Sequence, residues 1–368
     1  MTIIRQVLEL ARWAPSGDNT QPWRFEITSD SSALVHAFDT RDHCVYDLDG
    51  CASRLSHGAL LETIALASTR FGCRSIDAVV DEDALGNVTY SVQLEPATPR
   101  VAEDPLVPFI EQRSVQRRPM RTIALSDAQK DALQRSVAGF SVLWFESGSK
   151  RRQMALLNAR NAHIRLTIPE AYAVHKAVIE WHARTSVDRL PDASLGADPL
   201  LLATMRFAMG SWRRVDMMNR FAGGTLLPRL MLDFLPGVMC SAHFALVASS
   251  APRNPADFVD AGRAVQRLWL TATQCGLQMQ PSYTPLVFAR YAREGRTFTS
   301  SAHALAEAAS IARRLDGALG SSNAANAIFL GRLGPAARQT ARARSVRLPL
   351  DRLIVQQRPR GAAFAPTT

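Results

Sequence analysis

The sequence predicts an α+β protein made of two related half-units fused in one chain, a pseudo-dimer of mixed sheets flanked by helices, with a helical insertion in the second half. Three observations carry this. HGALLETIALASTRFGC (57–73) matches AGRAVQRLWLTATQCGL (261–277) without a gap, pairing Gly58 with Gly262, Leu66 with Leu270, Thr69 with Thr273 and Gly72 with Gly276. A Trp-bearing strand start, QPWRFEI (21–27), recurs as VLWFES (142–147). Strand-like runs, NVTYSVQL (87–94) and NAIFLGRLG (326–334), close the two units.

Taken in order, the first half reads helix, strand, helix, strand. Its second helix has apolar residues at helical spacing and ends at Gly72, the residue type that most easily adopts the left-handed C-cap conformation. The copy ending at Gly276 has the same form. Two unrelated amphipathic helices ending in Gly are the plainer alternative, and the strand echoes weigh against it. EPATPRVAEDPLVP (95–108), with four prolines, reads as the linker, giving halves of 1–105 and 106–368. The second half is expected to open with a helix near Pro108. Residues 159–238 have no counterpart in the first half and are long enough to need two or three helices of their own. The strand HFALVAS (243–249) then resumes the unit.

The chain has 368 residues, 47% of them hydrophobic and 21% charged, which excludes extensive disorder. No apolar run is long enough to predict a membrane span, and the N-terminal stretch does not read as a secretory signal. Five scattered cysteines without a CxxC argue against a disulfide framework or a zinc cluster, so a cytoplasmic protein without a metal is expected. The net charge of +10 comes almost wholly from arginines spread along the chain; Lys130, Lys150 and Lys176 are its only lysines. Nothing forms a basic stripe interleaved with aromatics, so no nucleic-acid partner is expected.

Local chemistry concentrates in a few segments. ARWAPSGDNTQPWRFEI (11–27) reads as a helix, a turn of small polar residues and a strand. Such a turn offers hydroxyl, amide and backbone N–H groups to a ligand. In FIEQRSVQRRPM (109–120), Arg113 and Arg117 have the i, i+4 spacing that would place two basic groups on one helical face, suited to a phosphate. A solvated surface is the alternative there. His175 and His182 stand seven apart and could share a helix face, but no third ligand has metal-site spacing.

The turn resembles the A-P-S-x-x-N-x-Q-P-W-x-F segment of the flavin-dependent nitroreductase superfamily, matching at Pro15, Ser16, Asn19, Gln21, Pro22, Trp23 and Phe25. Residues 109–120 resemble that family's basic segment, with Arg113, Ser114 and Arg117 implied as flavin-phosphate ligands. Val115 stands where a hydroxyl residue is usual, and Ser114 lies one place early. RSVRLPLDRLI (344–354) resembles the family's closing segment and implies a phosphate role for Arg347. CGLQMQPSYTP (275–285) resembles the loop along the flavin ring, implying contacts from Gln280, Pro281 and Ser282. Tyr283 falls where some relatives carry an acid. The complementary losses of the halves, RSVQRRPM and the insertion with IEWHART (179–185) as a lid helix resemble the internally duplicated, lid-bearing Acg-like branch.

The resemblance implies one FMN per chain and hydride or electron transfer at the flavin N5, to or from a small organic substrate such as a nitro compound, quinone or biosynthetic intermediate. NAD(P)H is an expected donor and would share the flavin pocket. No catalytic acid stands out; Tyr283, His175 and His182 are the candidates. A flavin-sequestering protein without NAD(P)H turnover is the alternative. The fused interface makes a monomer or weak homodimer the expected state.

Overall fold

The computed structural model describes residues 1–221, 223–337 and 343–355. In helix α1 (Ile3–Ala11), Ile4, Val7, Leu8 and Ala11 bury one face at helical spacing. Strand β1 (Trp23–Ile27) follows the turn and buries Trp23 and Phe25 completely. β2 (Ser32–Ala37) pairs with it, and α2 (Cys51–Thr69) comes next. The Asp47 carboxylate accepts the Ala52 and Ser53 N–H groups at 2.6 and 3.0 Å, satisfying donors that the first turn of α2 leaves free. β3 (Cys73–Glu82) and β4 (Val88–Pro96) complete a sheet ordered β1-β2-β4-β3, antiparallel throughout.

The second half repeats this plan. α3 (Asp127–Arg135) starts at a Ser126–Gln129 capping box, and β5 (Phe140–Phe145) follows. α4 (Gly148–Thr167), α5 (Pro169–Val178), the two-residue strands β6 (Ile179–Glu180), β7 (Thr185–Ser186) and β8 (Leu190–Pro191), α6 (Pro199–Ala208), α7 (Trp212–Phe221) and α8 (Leu226–Pro228) come between. A π-helical stretch, Arg229–Phe234, and α9 (Leu235–Val238) lead to β9 (Ala242–Ala248). Then come α10 (Pro255–Gln274), β10 (Leu277–Pro281), α11 (Thr284–Arg293), α12 (Ala302–Leu319), α13 (Ser321–Asn326) and β11 (Ala327–Pro335). The second sheet runs β10-β11-β9-β5, again antiparallel throughout. Each half thus reads helix, strand, strand, helix, strand, strand, with its third strand at the edge beside its fourth.

Helices α2 and α10 pack against each other along the middle of the protein. A Cβ on Gly58 would overlap the Val259 carbonyl, and one on Gly262 would overlap that of Leu55. Only glycine lets the two backbones come this close. In the register that aligns these glycines, Glu62 matches Gln266 and Thr63 matches Arg267. Arg267 donates to Glu62 at 2.6 Å and Gln266 to Thr63 at 2.9 Å, the same contact made twice by different side chains.

The structure corrects several expectations. The first half has four strands rather than two. No helix opens the second half near Pro108; Val107–Phe109 is a single 3-10 turn, and the first helix there is α3. Residues 113–118 form no helix; Val115 is bridged to Met279 and the Gln116 N–H donates to the Met279 carbonyl at 3.0 Å. The insertion assigned to 159–238 begins inside α4. Its segment 179–185 is extended at β6 and then turns at His182, whose φ of 63° breaks any helix, so His175 and His182 share no helix face.

The C-terminal segment crosses back to the first half. α14 (Leu350–Leu353) buries Leu350 and Leu353 in the core beneath β1, and the Val355 N–H donates to the Phe25 carbonyl at 2.9 Å. The strand β12 (Arg344–Ser345) pairs with β7. Arg347 is thereby carried to the turn after α1.

Candidate functional site

The turn between α1 and β1 is strained. Asp18, Asn19 and Gln21 all have positive φ, at 49°, 65° and 48°. Non-glycine residues rarely adopt this region, and such outliers persist where surrounding contacts impose them. Here the contacts are specific. The Gln21 N–H donates to Ser16 Oγ at 3.0 Å, and Gln21 Nε2 donates to the carbonyls of Asn19 and Val187 at 2.9 and 2.8 Å. Gln21 Oε1 accepts the Leu348 N–H at 2.9 Å, and Asn19 Nδ2 donates to the Arg189 carbonyl at 3.2 Å. The turn is thus clamped by the insertion on one side and the C-terminal segment on the other. Pro15, half-buried, precedes it.

Two buried arginines hang from the end of α1. Arg113 Nη2 donates to the Trp13 carbonyl at 3.0 Å while its guanidinium lies 4.5 Å from the Trp269 ring centre. Arg347 Nε donates to the Ala14 carbonyl at 3.0 Å. Arg12 and Arg344 flank the Trp13 ring, each 5.1 Å from its centre. Among the described residues, neither Arg113 nor Arg347 meets a carboxylate. Burial, then the neighbouring Arg347 and Arg344, push Arg113 well below the usual arginine pKa. Burial, then Arg344 and Arg12, lower Arg347 to about 10. Buried charges without a counter-ion are costly, so Arg113 and Arg347 could take an anion between them.

Because 113–118 forms no helix, Arg113 and Arg117 do not share a helical face. Ser114, half-buried, lies between them. Arg117 instead faces Asp18 of the turn, whose charge partly offsets the lowering of its pKa by burial.

Beneath this segment, Arg332 of β11 donates through Nη2 to the Arg117 carbonyl at 2.7 Å and to those of Gln116 and Arg118 at 3.3 Å. Burial lowers its pKa to about 10. Gln280 pairs with Arg332 and Pro281 with Gly331 across the sheet, and the Ser282 N–H donates to the Leu330 carbonyl at 2.8 Å. The turn, the arginine segment and the 280–282 loop therefore meet through Asp18, Arg117 and Arg332.

A second group gathers beside Asp18. Burial raises its carboxyl pKa, against lowering by Arg117 and Arg165. Arg165 of α4 donates to Asp233 at 2.7 Å. His175 Nε2 lies 3.0 Å from the Tyr46 hydroxyl, and burial, then Arg165, push its pKa down to about 3, so its ring is neutral. Tyr283 stacks on Phe329 and takes a 3.5 Å contact from Arg290, which Asp49 holds. His182 is exposed, 3.2 Å from Arg206, apart from the rest.

Among the described residues, five buried polar atoms here have no partner: Asn19 Oδ1, Arg113 Nε, Arg165 Nε, Gln280 Oε1 and Arg332 Nη1. Buried polar groups are nearly always satisfied, and a polar ligand beside the turn could supply partners to these atoms. Sequence reading missed Asp18, Tyr46, Arg165, Asp233 and Arg332. One signal was there: Arg332 is a lone charge in the apolar run AIFLGRLG (327–334). The five cysteines are free, and among the described residues no cluster of His, Cys, Asp or Glu could hold a metal. No helix among them is long and apolar enough to cross a membrane.

No protein-family model matches the chain, and no curated protein matches it in sequence. Similar solved structures include a nitroreductase with bound FMN from Bacteroides fragilis, at 8% identity and TM-score 0.34, covering 72% of this chain and 99% of that one. The FMN-dependent nitroreductase NfnB from Mycobacterium smegmatis, in complex with NADPH, is similar at 16% identity and TM-score 0.33, covering 70% and 96%. A nitroreductase-like family protein from Bacillus cereus is similar at 10% identity and TM-score 0.31, covering 72% and 92%. All three likenesses are distant, and the chain's own buried arginines and unpartnered polar atoms define what the site can take.

Proposed function

We propose that the chain is an FMN-dependent oxidoreductase of the nitroreductase type, with one FMN per chain where the turn of the first half meets the arginines of the second. The observation that carries this is the pair Arg113 and Arg347, buried without a carboxylate beside a strained polar turn. A phosphate supplies the missing counter-ion, and guanidinium forks suit its oxygens. The rest of the donor set also fits. Arg332 Nη1 can donate to a ring carbonyl, while Gln280 Oε1 and Asn19 Oδ1 can accept from N–H or hydroxyl groups. Bound there, FMN would supply hydride and electron chemistry between a nicotinamide donor and a small acceptor such as a nitro compound or quinone.

In this reading the chain's own residues position and enclose. Arg332 fixes the backbone of 116–118, and Gln21 ties the turn to both the insertion and the C-terminal segment. The insertion acts as a lid that excludes water, and Tyr46, paired with neutral His175, holds a proton beside Asp18. A second reading has a specific basis: Asp18, Arg117, Arg165 and Asp233 crowd charged groups between the turn and the insertion. A nicotinamide donor that cannot enter would leave a flavin-sequestering protein without turnover.

The visible absorption spectrum of the purified protein, followed by anaerobic NADH and NADPH addition, tests both. A flavin spectrum that bleaches supports the reductase. A flavin that stays oxidised favours sequestration or an oxidase fed by its own substrate. No flavin, even after incubation with FMN, refutes the proposal.

A further inference from the structure

We infer that the outer face of the insertion docks on an anionic lipid surface. α6 turns Leu200 and Phe207 outward, 78% and 59% exposed, with Ala203 and Thr204 between them at helical spacing. α7 buries none of its residues and presents Arg213, Arg214, Met217, Arg220 and Phe221 along one side. Phe221 is 85% exposed, and Leu226 and Leu227 just beyond are 69% and 53% exposed. The Arg214 guanidinium lies 4.8 Å from the Phe207 ring centre, joining the two stripes into one surface. Scattered exposed apolar residues are ordinary, but a contiguous patch of this kind marks a contact surface.

Charge selects the occupant. Residues 199–221 contain four arginines and one acid, Asp216, which is paired with Arg220 at 3.0 Å. Apolar side chains among arginines on short exposed helices are the chemistry of segments that lie in a bilayer interface, with Phe and Leu among the acyl chains and arginines at anionic headgroups. A second copy of this chain would set arginine against arginine, which opposes a self-contact. A nucleic acid would satisfy the arginines but leave Phe221, Leu226 and Leu227 in water. The docking goes beyond the proposed oxidoreductase function and does not depend on it.

Flotation of the full-length protein with phosphatidylcholine vesicles, with and without phosphatidylglycerol, tests the inference. The protein should float only with the anionic vesicles, and added salt should weaken binding. Arg213→Gln with Arg214→Gln should lower partitioning by about fivefold for each arginine. Phe207→Ser with Phe221→Ser should lower it at constant charge. All four positions are exposed, so unchanged circular-dichroism melts will separate lost docking from lost folding. Equal flotation with neutral and anionic vesicles, or none with either, overturns the inference. So does a dimer that the phenylalanine variant dissolves, or retention on duplex DNA without vesicle binding.

Discussion

Arg347→Met separates a residue kept for folding from one kept for an anion. Methionine retains an apolar stem of similar length and removes the charge. A guanidinium held at a pKa of about 10 instead of 12.5 costs the folded protein ~3 kcal/mol at neutral pH while no anion is bound. The substitution relieves that cost but abandons the Ala14 carbonyl, a loss of about 1–3 kcal/mol. These nearly cancel, so flavin-free protein should change in stability by less than ~2 kcal/mol. FMN binding should fall by about 2–5 kcal/mol, roughly thirty- to several-thousand-fold, because a phosphate loses a buried charged partner. Urea melts of the flavin-free protein give the first quantity, and flavin-fluorescence titration at fixed ionic strength gives the second. Riboflavin, which lacks the phosphate, is the control and should bind the variant and the parent alike. Equal losses for FMN and riboflavin would refute the phosphate assignment. Loss of more than ~4 kcal/mol in the flavin-free protein would make Arg347 a structural residue.

The pH dependence of stability has a defined sign. His57, His175 and His243 are held neutral by burial, with folded pKa values of about 4, 3 and 4 against 6.5. Their contribution is complete above pH 6.5 and is lost as pH falls towards 4, because the unfolded chain takes up protons that the folded chain refuses. Asp47, raised to about 6, and Asp18 and Asp233, also raised by burial, act in the opposite direction, because the folded chain takes up protons there that the unfolded chain refuses. The change in melting temperature between pH 7.5 and pH 5 should therefore be less unfavourable in His175→Gln than in the parent, and equal profiles contradict the burial of that ring. A pair of glycine substitutions checks the helix packing. Gly58→Ala puts a methyl group into the Val259 carbonyl and should cost about 3 kcal/mol or more in urea unfolding, while Gly317→Ala, in open space on α12, should gain about 0.4–1 kcal/mol. Similar stabilities for the two variants would mean that α2 and α10 do not approach as described.

What could be read from the sequence was local. The α2 and α10 stretches announce themselves by helical spacing and a terminal glycine, and the turn by its run of small polar residues. β2 escaped notice because Ser32–Ala37 is a short run of mostly small residues whose only strong signal is alternation. The segment at 113–118 was misread because its spacing fits a helix equally well. Its partner is the edge of β10, some 160 residues away, and that pairing wins over local periodicity. Pro108 and Pro119 flank it, and were the available warning. Arg165, Asp233 and Tyr46 lie on three separate segments of the chain and acquire meaning only when the fold brings them to Asp18, so no spacing could have linked them.

The two halves have the same strand order, yet they differ where a ligand would sit. In the first half, residues 12–22 join helix to strand through three left-handed non-glycine residues. In the second, residues 136–139 make the same link with only Gly139 at positive φ. The arginines are divided the other way: Arg113, Arg332 and Arg347 all come from the second half. The contact of Gly58 with Gly262 holds the halves close, and the C-terminal segment crosses over to carry Arg347 onto the first half. A strained polar turn without arginines would offer hydrogen bonds but no charge, and buried arginines without the turn would bind any small anion. In the proposed reading, their meeting is what favours a ligand with a phosphate at one end and polar ring edges at the other, and the short link in the second half has no such turn.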